Sequence, residues 1–70
     1  MSVRTGDPAR LGELALFLEG LGCEVSAVDA ATLDVLVPGA LRDDAAELEV
    51  DLYLRVWAAR TGVTAGRVSG

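Results

Sequence analysis

Seventy residues with 6 Lys+Arg against 11 Asp+Glu, a formal charge of −5, and 51% hydrophobic content fit one compact domain over residues 1–70. That length excludes a multidomain enzyme, and the interleaving of apolar with charged residues argues against a disordered tail. The acid excess disfavours nucleic acid, whose phosphates would meet mostly carboxylates.

Residues 3–5 open the chain as a short β-prone run, which Thr5, Gly6, Asp7 and Pro8 stop. Asp7 ahead of Pro8 reads as a helix N-cap followed by proline at the first helical position, where a missing N–H costs nothing. From Ala9 onward, Leu11, Leu14, Ala15, Leu18 and Leu21 recur at steps of three and four, predicting a helix with Phe17 on its rim. Gly20 and Gly22 stand where a left-handed stop is needed. Residues 23–29 then alternate, with Cys23, Val25 and Ala27 inward, and residues 29–32 are turn-like. Residues 33–37 alternate again, with Leu33, Val35 and Val37 inward, until Pro38 and Gly39 end the run. Two such runs across a short polar link predict an antiparallel hairpin.

Residues 41–61 predict a second helix. Asp43 and Asp44 lie near its start, where the helix dipole favours negative charge. Arg55 and Arg60 lie toward its end, and Gly62 supplies the stop. Residues 63–69 are expected to form a last strand, with Gly66 and Val68 inward and Arg67 outward. The order β-α-β-β-α-β predicts an α+β, ferredoxin-like fold, an antiparallel sheet with two helices on one face. The outer sheet face is expected to carry Arg4, Glu24, Ser26, Asp34 and Arg67, with Val28 and Leu36.

The second helix has more apolar surface than one sheet requires. At about 100° per residue, Ala45, Leu48, Leu52, Val56 and Ala59 gather on one side. Ala46, Val50, Leu54 and Trp57 gather nearly opposite, with Tyr53 at their edge. A helix lying on its own sheet needs one stripe. Covering about 300–400 Å² of the other favours association by about 8–10 kcal/mol before entropic costs. Trp and Tyr are enriched at interface hot spots. The expectation is therefore a homodimer, or a contact with another protein, through Ala46, Val50, Tyr53, Leu54 and Trp57.

Other candidate sites are weaker. The chain has no His and its six basic residues are all Arg, so the commonest general base and the Schiff-base amine are both missing. No catalytic residue, metal or cofactor is expected. Cys23 is the single cysteine and reads as a small buried hydrophobe. Asp43, Asp44, Glu47 and Asp51 lack calcium-loop spacing and read as a solvated helix flank. Gly6, Asp7 and Pro8 are the candidate ligand loop, because a helix start attracts anions, although Asp7 itself caps there. Base stacking on the sheet would need aromatics on the strands, and Phe17, Tyr53 and Trp57 all fall on helices. No apolar run reaches the roughly 18 residues of a membrane span, and a cytoplasmic location is expected.

Gly6, Asp7 and Pro8 before the first helix, Gly22 leading into Cys23, Glu24 and Val25, and the close Gly62, Val63, Thr64, Ala65, Gly66, Arg67 and Val68 together resemble small ligand-sensing ACT domains. The stretch from Glu49 to Trp57 also resembles one in small ferredoxin-like proteins of high-GC actinobacteria. The ACT resemblance implies pairing through sheets and a regulatory role, binding an amino acid or small anion near Gly6, Asp7 and Pro8. Only those three residues match that loop's pattern, and no glycine follows Pro8 directly.

Overall fold

The computed structural model describes residues 1–40 and 42–68. Along the chain run β1 (Ser2–Thr5), a 3₁₀ turn (Pro8–Arg10), α1 (Leu11–Gly20), β2 (Glu24–Asp29), β3 (Thr32–Leu36), α2 (Asp43–Thr61) and β4 (Ala65–Val68). Asp7 caps as its position demands: its Oδ1 accepts from the Ala9 N–H at 3.1 Å, with Pro8 in the first helical turn. The helix expected from Ala9 starts as this tighter 3₁₀ turn and becomes α-helical at Leu11. Of the two glycines that could end α1, Gly20 stays helical and Gly22 takes the left-handed backbone, φ 94°. Two expected element residues, Leu41 and Ser69, lie outside the described residues.

The β2–β3 turn is set by Asp29, whose Oδ1 accepts from the Ala31 N–H at 2.9 Å. That bond holds the exposed carboxyl below its ordinary range. β3 pairs antiparallel with both β2 and β1, and β1 pairs antiparallel with β4, giving the order β2-β3-β1-β4. Opposition of Val3 with Leu33 and of Val25 with Val35 puts Val3, Leu33 and Val35 on one face. Leu14 and Leu18 of α1 and Val50, Leu54 and Trp57 of α2 bury against that face. The molecule is thus α+β, with a four-stranded antiparallel sheet under two helices. Phe17 bridges the helices, its ring centroid 5.5 Å from that of Trp57 at a tilt of 46°.

Two strand assignments need correction. Ala27, expected inward, is exposed, because it lies on an edge strand just before an irregularity between Ala27 and Asp29. Arg67, expected on the outer face, stands opposite Val3 in the β1–β4 register and so shares the helix side of the sheet. Val68 stands opposite Ser2 and Gly66 opposite Arg4, so these two share the outer side.

Gly62 closes α2 with φ 74°, its N–H donating to the Ala58 carbonyl at 2.9 Å. The Thr61 hydroxyl donates to the Trp57 carbonyl and accepts from the Val63 N–H. A Cβ at Gly62 would meet no atom within 4 Å, so only the backbone penalty acts on Gly62→Ala. That penalty is about 1 kcal/mol. A thermal melt should show a loss of about 4–8 °C for a domain of this size.

Candidate functional site on the outer face of the second helix

Nineteen residues of α2 make a helix about 28 Å long at about 1.5 Å per residue. Its two apolar stripes have opposite fates. Ala46, Val50, Leu54 and Trp57 are buried, Val50 at 0% and Trp57 at 5% exposure. Tyr53 is half-buried at their margin. The interface expected at Ala46, Val50, Tyr53, Leu54 and Trp57 is therefore misplaced, since this stripe faces the chain's own sheet. The reason is area. Val3, Leu33 and Val35, with Phe17 and Leu18 alongside, form an apolar floor wide enough for the indole. An aromatic ring gains more from such a floor than leucine does.

The opposite stripe is left open. Leu48 is 71% exposed, Leu52 57% and Val56 38%, and Ala45 and Ala59 extend the stripe at either end in the exposed class. Leu16 of α1, 70% exposed, lies between the buried Leu14 and Leu18 in sequence. It therefore points away from the sheet, as the α2 stripe does. Three leucines and a valine thus sit on the outer surface of the helix layer.

Charges line the open stripe in an ordered way. From Asp43 to Asp51 α2 has five acids and no base; from Leu52 to Thr61 it has Arg55 and Arg60 and no acid. Glu47 and Asp51 turn toward β4, where Arg67 Nε and Nη2 donate to the two Asp51 oxygens at 2.7 and 2.9 Å. Arg67 Nη1 lies 3.2 Å from Glu47. These bonds hold the Asp51 carboxyl below its ordinary value of 3.8 and raise the Arg67 guanidinium. On the other flank the Tyr53 hydroxyl donates to Glu49 Oε1 at 2.6 Å, and the phenol is pushed up to about 12 because its proton serves that carboxylate. Among the described residues neither Arg55 nor Arg60 has an ion-pair partner.

The Arg67 clasp matters because β4 has little else on the helix side: Ala65 is its one partly buried residue. A carboxylate with a lowered folded pKa adds stability that is present above its unfolded value and lost as pH falls through the folded one. Below about pH 4 the wild type should therefore lose a component of stability that Arg67→Met lacks from the outset. Melts across that range check this. Parallel curves for the two proteins would show that the clasp contributes nothing.

The remaining candidates have local roles. Gly6 donates its N–H to the Thr64 carbonyl at 2.8 Å, and a Cβ there would sit 3.0 Å from Thr64 Oγ1. Close approach to the β4 lead-in explains that glycine. The Asp7 carboxylate takes the acceptor position that a bound anion would occupy, and Pro8 is exposed beside it. Cys23 is buried, and burial first, then Glu49, pushes its thiol up, which opposes nucleophilic use. Of the acidic run, Glu47 and Asp51 come together on Arg67, and Asp44 pairs with Arg42 at 3.2 Å. Among the described residues no group of three or more His, Cys, Asp or Glu is placed to hold a metal ion, and no helix is long and apolar enough to cross a membrane. Neither a protein-family model, nor a curated protein, nor a solved structure matches this chain.

Proposed function

We propose that this chain is a small, non-catalytic oligomerisation module of ferredoxin-like type, working as a homodimer through the outer face of α2. The observation that carries the reading is the open stripe of Leu48, Leu52 and Val56, in a helix whose other apolar stripe already fills the core. Contiguous exposed apolar surface on a small soluble domain marks a contact site. Chemistry is a poor alternative for a chain with no His, no Lys and one buried cysteine. The ferredoxin-like reading rests on the strand order β2-β3-β1-β4. β3 lies between β1 and β2, and β1 lies between β3 and β4, so the two β-α-β units are split and interleaved.

Sedimentation at a series of concentrations tests the module. The weight-average mass should rise from one chain toward two, and a single-chain mass throughout would refute self-association. The ACT-like alternative, binding an amino acid or small anion near Gly6, Asp7 and Pro8, predicts something else: strong thermal stabilisation by one member of a metabolite panel. The Asp7 cap argues against it.

A further inference from the structure

We infer that the occupant of the open stripe is a second copy of the same stripe laid antiparallel, with Leu52 beside the two-fold axis. This rests on the self-association proposed above and specifies its geometry. The stripe is nearly symmetric in sequence about Leu52: Leu48 and Val56 lie four residues to either side, and Ala45 and Ala59 seven. A two-fold contact requires a self-complementary patch. Turning one copy end for end sets large residues near large at the centre and small near small at the ends.

Charge selects the same orientation. Asp44 and Glu49 flank the N-terminal half of the stripe, and Arg55 and Arg60 flank the C-terminal half. On the helical wheel Glu49 and Arg60 share one flank with Arg42, whose guanidinium is held by Asp44, and Asp44 and Arg55 share the other. An antiparallel pair sets Glu49 toward the partner's Arg60 on one flank and Asp44 toward the partner's Arg55 on the other. A parallel pair sets acid along acid and base along base, which is unfavourable. The helix dipoles agree, since antiparallel packing places each positive end beside a negative one.

The area is modest. From Ala45 to Ala59 the strip is about 21 Å long and about 12 Å wide, about 250 Å² per chain. Counted on both chains, about 500 Å², it falls below the roughly 1,000 Å² that a stable interface clears, so the contact is a weak one in exchange with the monomer.

Cross-linking reads the orientation directly. Ala45→Cys and Ala59→Cys are exposed, conservative replacements, and the native Cys23 is buried with its thiol pushed up. The two variants are treated with a short bis-maleimide, separately and as an equimolar mixture, and the linked positions are located by peptide mass. The expected product is a 45-to-59 link between chains, formed in the mixture and nearly absent from either variant alone. In the antiparallel pair two copies of position 45 stand about 21 Å apart along the axis. Dominant 45-to-45 links would overturn the antiparallel geometry while leaving self-association intact. A sample that sediments as a dimer yet gives no link at either position would also overturn it, placing the contact on another face. A chain that stays single in sedimentation would remove the underlying module instead.

Discussion

Trp57→Asp is expected to unfold the chain rather than to separate two copies of it. The indole is 5% exposed, stacks near Phe17 and belongs to the same cluster as Val3, Leu18 and Val50. Truncating such a residue to alanine costs about 3–5 kcal/mol, and a buried, unpaired carboxylate costs more. A domain of this size has about 4–10 kcal/mol in all, so most of the population should be unfolded. Far-ultraviolet circular dichroism and a lost thermal transition would record it. Trp57→Phe is the control. The indole Nε1 has no hydrogen-bond partner among the described residues, so its removal forfeits no bond and the fold should survive at a cost of about 1 kcal/mol. A soluble, folded Trp57→Asp protein would mean that the stripe facing the sheet has been misidentified.

Leu52→Asp should behave in the opposite way. Its side chain is 57% exposed, so the folded monomer loses little and gains solubility. In the dimer the substitution acts on both copies, removing apolar burial twice and bringing two like charges to the axis. About 2–3 kcal/mol is lost, weakening association by about a hundredfold. Sedimentation should show a single chain at concentrations where the wild type is paired, with a melting curve measured on dilute protein unchanged. If the variant pairs as well as the wild type, the contact does not pass through Leu52. Together the two substitutions distinguish the faces of α2: one acts on folding, the other on assembly.

Much of the local structure was readable along the chain, because neighbouring residues decide it. The Asp7 cap, the Gly62 stop and the Asp29 turn each involve groups within four residues of one another, and the hairpin follows from alternation around that turn. Arg67 was not readable. Ala65, Gly66, Arg67 and Val68 carry too little apolar contrast to show which side faces in. The answer came from Asp51 and Glu47, on a different element.

The open stripe was half readable. Helical periodicity shows that α2 bears apolar residues on two sides, and no other part of the chain is needed to see it. Which side stays at home is a question about the floor beneath. Val3, Leu33 and Val35 reach a common face only when β1 and β3 pair, and Phe17 of α1 then closes over Trp57. Composition along a helix specifies how much surface must be hidden, whereas the partner surface that hides it is assembled from residues distant in the chain. For this protein, that assembly directed the aromatic stripe inward and left the leucine stripe exposed.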